Sequence, residues 1–210
     1  MPMVCTHCGA YAMNNAERSL DHATCSECGR TTPMNVFPLF VVTGTSGAGK
    51  TVLVPELRKQ LPECIIFDKD LLLASYGEQF YNNWLLIAHS IAQGGRHCVI
   101  CGTIMPDDFE QCGARELVGT IYFLNLHCND DVREQRLRAR PAWRGCDDEF
   151  IQKHKQFARW LLDHAETDFD PPMLTVDTSD TPVEDVARQI AQWVSSTLGG
   201  QLVREASPLF

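Results

Sequence analysis

The chain has 210 residues, 44% hydrophobic and 21% charged, enough for one medium domain with a real core plus a small module. A formal net charge of −9 argues against a general nucleic-acid binder, and no run of 18 apolar residues offers a membrane span. No signal-peptide pattern opens the sequence, so a soluble, cytosolic protein without a membrane partner is expected.

Cysteine pairs come first. Cys5-x-x-Cys8 and Cys25-x-x-Cys28 are separated by 16 residues, the two-knuckle spacing of a structural zinc site. Gly9 and Gly29 follow the pairs and permit the tight turn that faces backbone N–H groups toward thiolate sulfur. Four thiolates suit a closed tetrahedral Zn²⁺ site with no open position. Two disulfides are the competing reading of the same four residues. His7 and His22 sit beside the cysteines, but four sulfurs already fill the shell. The other six of the ten cysteines are scattered, and Cys64, Cys98, Cys101 and Cys128 fall in or beside apolar strands as small hydrophobes. A zinc module together with a nucleotide site points to a reducing compartment. Residues 1–34 set Arg18 and Arg30 against Glu17, Asp21 and Glu27. So near-neutral a ribbon reads as a stability or contact module rather than a nucleic-acid reader.

A short linker, bracketed by Thr32-Pro33 and Pro38, leads into alternating apolar strands and helical patterns. Strands are expected at 39–43, 64–67, 98–101, 120–126 and 173–176, and helices at 50–60, 79–93, 130–139, 147–167 and 182–198. Short apolar strands separated by helices predict an α/β, three-layer fold with a five-stranded parallel sheet covered on both faces. Gly94-Gly95 and Gly199-Gly200 are expected to stop helices, and Pro182 to start one. The expected domains are a ribbon (1–34), an α/β domain (35–200) and a C-terminal tail (201–210). That tail carries Leu209 and Phe210 and is open to disorder or docking.

Between the first strand and its helix stands Gly44-Thr45-Ser46-Gly47-Ala48-Gly49-Lys50-Thr51, which fits G-x-x-x-x-G-K-[ST] at every fixed position. Backbone N–H groups of Gly44, Ser46, Gly47, Ala48 and Gly49 converge there on phosphate oxygens, and the helix N-terminus adds a favourable dipole. Lys50 is expected to reach the β/γ-phosphates and Thr51 to place its hydroxyl on Mg²⁺.

The second strand runs into Asp68-Lys69-Asp70. Two carboxylates at a strand's carboxyl end face the crevice where ligands bind in open α/β sheets. One can hold Mg²⁺ and the other can accept the proton of a substrate hydroxyl. The same residues can also cap the helical turn that begins near Leu71. The third strand ends in Cys101-Gly102-Thr103, without the Asp of a Walker B strand, which weakens a motor or GTPase reading. Arg133, Arg136, Arg138, Arg140 and Arg144 then crowd a helix that Pro141 ends. Positions 133, 136 and 140 lie near one helical face and need anions to face. Trp143 beside them is suited to cover a base or to pack.

These residues resemble the small P-loop kinases, the nucleoside-monophosphate, shikimate and gluconate kinase superfamily, over about residues 38–198. The resemblance implies that Asp68 supports Mg²⁺ and that Asp70 contacts the acceptor hydroxyl. It makes Arg136 and Arg140-Pro141, with Trp143-Arg144-Gly145, a short lid over ATP. It places Val176-Asp177-Thr178-Ser179 beside the adenine. Shikimate kinases carry a glycine triplet where this chain has Cys101-Gly102-Thr103, and the four-cysteine ribbon is an addition. The expected function is ATP-dependent transfer of the γ-phosphate to a small molecule: a nucleoside, a nucleotide or another polar metabolite. Its catalytic residues are Lys50, Asp70, Arg136 and Arg140, and its cofactors are ATP, Mg²⁺ and structural Zn²⁺. A nucleic-acid-processing or regulatory ATPase, with a ribbon that recognises RNA or protein, is the alternative.

Overall fold

The computed structural model describes residues 3–5, 7–12, 22–75, 77 and 79–205. Leu209 and Phe210 of the tail lie outside these residues, as do Glu17, Arg18 and Asp21. Two compact units are present, one made of Met1–Leu39, Leu72–Cys98 and Met105–Ile121, the other of Phe40–Leu71, Val99–Ile104 and Tyr122–Phe210.

The N-terminal segment of the first unit forms two antiparallel hairpins. Strand β1 (Met3–Val4) pairs with β2 (Tyr11–Ala12), and β3 (His22–Thr24) pairs with β4 (Thr31–Pro33). Both turns are built alike. Cys5 N–H donates to Ala10 O at 2.8 Å and Gly9 N–H to Cys5 O at 2.9 Å; Cys25, Arg30 and Gly29 repeat the pattern at the same distances. Gly9 and Gly29 take φ of 72° and 67°, which explains the glycine after each pair. The linker residue Asn35 is fastened to the end of α2 (Phe80–Gln93). Its N–H donates to Gln93 Oε1 at 3.1 Å, its Nδ2 to Ala92 O at 3.0 Å, and Gln93 Nε2 donates to Asn35 O at 2.8 Å.

Strands β5 (Leu39–Gly44), β6 (Cys64–Asp68), β7 (His97–Cys101), β8 (Ile121–His127) and β9 (Leu174–Asp177) make the expected five-stranded parallel sheet, in the order β6-β7-β5-β8-β9. Every residue of β5 is buried, so both faces of the sheet are covered there. The core on one face joins Phe40 and Val42 to Leu53, Val54 and Leu57 of α1 (Lys50–Gln60) and to Val186, Ile190 and Val194 of α6 (Val183–Glu205). Phe40 also stacks on Tyr122 at 5.6 Å and meets the Trp193 ring edge-on at 5.3 Å.

Side-chain caps start α4 (Asp130–Arg138) and α5 (Asp148–Asp163): Asn129 Oδ1 and Asp147 Oδ1 each accept an N–H at 2.8 Å. A further short helix is α3 (Asp107–Glu110), and the described residues also hold tighter helical turns at Lys69–Ser75, Arg115–Leu117 and Ala142–Arg144. Helix α6 departs from expectation because it runs through Gly199-Gly200 to Glu205. Glycine costs a helix interior only about 1 kcal/mol each, and a helix already several turns long propagates past that penalty.

Strand order positions the site. From β5 the chain leaves to β6 and returns to β7 on one side, then crosses to β8 and β9 on the other. The direction of winding reverses at β5, so a crevice opens at its carboxyl end, where the glycine-rich loop stands.

Candidate active site

The glycine-rich loop owes its shape to three glycines. Gly44, Gly47 and Gly49 take φ of 133°, 86° and 99°. A Cβ on Gly44 would stand 2.5 Å from Leu126 O, so the loop leaves β5 pressed against β8. Lys50 Nζ folds back into the loop and donates to Gly44 O at 2.7 Å and Thr45 O at 2.8 Å. Thr103 Oγ1 donates to the same Gly44 carbonyl at 2.7 Å. Burial pulls the Lys50 ammonium down to about 8, and the Asp68 and Asp70 carboxylates oppose that pull.

A cavity of about 570 Å³ opens over this loop, within the second unit. Ser46, Gly47, Ala48, Gly49, Lys50 and Thr51 line its floor, Asp68 and Asp70 one wall, and Arg136 and Arg140 another. The volume suits a nucleotide-sized ligand. Gly44 contributes its carbonyl behind Lys50 rather than to the cavity surface. Asp68 Oδ1 accepts the Asp70 N–H at 2.9 Å, so the turn-capping and cavity-lining readings of these carboxylates hold together. Five cations (Lys50, Lys69, Arg136, Arg140 and Arg144) against two carboxylates make the cavity strongly positive in a chain of net charge −9.

The arginines divide by partner. Arg133, expected to face an anion, is 0% exposed and lies behind the loop. Its guanidinium donates to Thr45 Oγ1 and Cys128 O, and its Cγ is the first atom a Cβ on Gly47 would meet. It braces the loop from below. Arg136 lines the cavity and also clasps two segments, with Nη1 on Gly47 O at 3.2 Å and Nη2 on Thr178 O at 2.7 Å. Arg138 pairs with Glu134 and Asp148. Arg140 stands past the end of α4, so the turn after the helix, not a helical face, brings it to the cavity. Trp143 is 78% exposed with the Arg144 guanidinium 5.1 Å over its ring, so it does not pack in the core. Thr178, Thr181, Val183 and Val186 form the far end of the cavity, from the loop after β9 and the start of α6. Of these only Thr178 had a sequence signal, in the Val176–Ser179 stretch. Cys101 lines the cavity with burial pushing its thiol up to about 12, so it stands as a neutral side chain.

His154 of α5 has a buried Nδ1 without a hydrogen-bond partner among the described residues. Burial first, then the charges of Lys50, Arg133 and Arg140, draw its pKa from 6.5 down to about 4. Between those values the unfolded chain holds the proton that the folded protein refuses, so stability falls as pH drops from 6.5 toward 4. His154→Gln is expected to flatten part of that decline, while His127, shifted in the same direction, and the depressed carboxyls of Asp177 and Glu134 keep contributing to it. Melting temperatures from pH 7 down to 4 would show it. An acid-side decline identical to that of the wild type would contradict the assignment.

The sulfurs of Cys5, Cys8, Cys25 and Cys28 lie within 4.8 Å of one another, with Cys5–Cys28 at 3.7 Å and Cys8–Cys25 at 3.8 Å. A disulfide needs about 2.05 Å. A tetrahedron with Zn–S bonds of about 2.3 Å spaces its sulfurs by about 3.8 Å, so the donor set fits zinc and not disulfides. N–H groups of Cys8 and then His7 face the Cys5 sulfur and draw it down to about 6. Among the described residues neither His7 nor His22 joins the cluster.

No protein-family model matches this sequence, and no curated protein does. Solved structures match its shape. A sugar kinase from Janibacter sp. HTCC2649 is 14% identical with a TM-score of 0.54, over 76% of this chain and 95% of that one. The tunicamycin resistance protein of Deinococcus radiodurans is 16% identical with a TM-score of 0.54, over 75% and 95%. Deoxyadenosine kinase from M. mycoides, solved with bound dATP, is 16% identical with a TM-score of 0.50, over 74% and 98%. The fold is that of the small P-loop kinases. The four-cysteine cluster lies near the N-terminus of the chain. No described helix is long and apolar enough to cross a membrane.

Proposed function

We propose that the protein is an ATP-dependent phosphotransferase that moves the γ-phosphate to a hydroxyl or phosphate of a small molecule. The observation that carries this reading is the cavity itself, where a glycine-rich phosphate loop and two carboxylates share one space with three arginines. Lys50 turns from its loop carbonyls to the β- and γ-phosphates, and the N–H groups of 46–51 hold the same oxygens. The Thr51 hydroxyl and Asp68, whose Oδ2 is not used by the Asp70 N–H, offer the oxygen donors a hard cation prefers. Mg²⁺ bound there supplies charge neutralisation to the phosphates. Asp70 orients the acceptor and accepts its proton as the acceptor oxygen bonds to phosphorus and the bond to ADP breaks. Arg136 supplies a fixed charge and Arg140 a movable one to the transferring phosphoryl. The apolar Val183 and Val186 beside Thr178 suit a nucleobase.

The arginine turn ends in Pro141 and Gly145, the latter at φ 61°, which suits a lid that excludes water. A kinase needs such exclusion and an ATPase does not. The test is phosphorylation of nucleosides, nucleotides and small polar alcohols against short RNA and DNA oligonucleotides at physiological salt. A small acceptor is expected to win. Preferential phosphorylation of an oligonucleotide end would favour the nucleic-acid alternative and give the ribbon a recognition role.

In the ribbon, we propose one structural Zn²⁺ per chain on Cys5, Cys8, Cys25 and Cys28. Elemental analysis should find close to one zinc, and Cys25→Ser should lose it and loosen residues 1–34, which have little core of their own. Four free thiols in a ribbon still folded without metal would refute the site.

A further inference from the structure

Asp68 and Asp70 flank a lysine to which no role has been given. The Lys69 side chain lies across Gly102, at the end of the neighbouring strand. A Cβ on Gly102 would come 2.3 Å from Lys69 Cβ, 2.9 Å from its Cδ and 3.0 Å from its Cε. Only glycine leaves room for that stem. The lysine side chain is 14% exposed, and its Nζ reaches Asp70 Oδ1 at 3.1 Å, while the Asp70 side chain is 52% exposed. Ion pairs between two long exposed chains hold little because each must give up its freedom. Here the stem is already fixed by its seat on Gly102, so the ammonium is presented at a set place. Among the described residues, Lys69 is the cation paired with Asp70.

Asp70 is therefore held at two points. Its N–H is held by Asp68 Oδ1 and its carboxylate by Lys69 Nζ. A group that must meet an acceptor hydroxyl works from one geometry, and a half-exposed aspartate without a partner samples several. We propose that Lys69, seated on Gly102, is a positioning residue that fixes the Asp70 carboxylate for phosphoryl transfer. The inference rests on the phosphotransferase reading.

Three variants separate the parts. Lys69→Met keeps the stem and removes the ammonium, Lys69→Arg keeps a cation, and Gly102→Ala leaves Lys69 chemically intact but pushes it off its seat. ADP release from Mg-ATP is measured with the preferred acceptor of the panel, or with water alone if none is preferred, together with ADP affinity. A misplacement of about 1 Å can cost roughly 100-fold, so Lys69→Met and Gly102→Ala should lower kcat by about 10- to 100-fold. Affinity for ADP should fall much less than kcat, because apart from Lys69 itself the other four of the five cavity cations remain in both Lys69→Met and Gly102→Ala, and Lys69→Arg should recover part of the loss in kcat. In an Asp70→Asn background, Lys69→Met should cost nothing further, since residues that act through one another are not additive. Additive losses, an equal fall in ADP affinity, or a normal kcat in Lys69→Met beside a collapsed Asp70→Asn would overturn the role and leave the kinase reading standing. A wild type that releases no ADP under any condition would overturn both.

Discussion

Lys50→Ala is expected to abolish phosphoryl transfer while the protein keeps its fold. The ammonium is desolvated, held to two loop carbonyls, and surrounded by the residues of the cavity over the glycine-rich loop. Removing one preorganised donor from a developing charge costs about 100- to 1,000-fold, and Lys50 brings a full charge as well as a donor. Stability should change little for two reasons. Truncation relieves the cost of keeping a cation away from water. One of the two carbonyls it leaves, Gly44 O, still accepts from Thr103 Oγ1. Steady-state turnover beside a thermal melt is the measurement. Turnover within a few-fold of the wild type would remove the phosphate-loop assignment.

The second large effect is expected at Asp70. Asp70→Asn keeps the shape and loses the charge, and a general base contributes roughly 100- to 10,000-fold, so kcat should fall by that order while ATP affinity holds. Asp68→Asn is a different experiment. Asparagine retains the Oδ1 that accepts the Asp70 N–H, so the turn survives and only the charge offered to the metal is lost. That variant should need more Mg²⁺ to reach its maximal rate. Kinetics over a range of Mg²⁺ would distinguish the two. Identical magnesium dependence would mean that the carboxylates do not divide the work.

Much of the fold was legible in the sequence for simple reasons. Buried parallel strands read as apolar runs, so all five appear within two residues of their expected bounds. The phosphate loop and the cysteine pairs are local patterns whose spacing is their geometry. What stayed hidden depends on strand order. Lys69 and Gly102 are far apart in sequence and touch because β6 and β7 are neighbours in the sheet. Arg133 and Arg136 look alike along a helix, yet one braces the loop from behind and the other lines the cavity, a difference set by how α4 packs. Gly199-Gly200 carried a stop signal by composition, and the helix that precedes it was long enough to override the signal.

Phosphorus NMR of ATP incubated with the wild-type protein and a mixture of nucleosides, nucleotides and polar alcohols tests the central claim most directly. It shows where the γ-phosphate goes. The account predicts ADP together with a new ester or diphosphate resonance, absent without the protein and absent with Lys50→Ala. ADP accompanied only by inorganic phosphate, at a rate no acceptor changes, would contradict it.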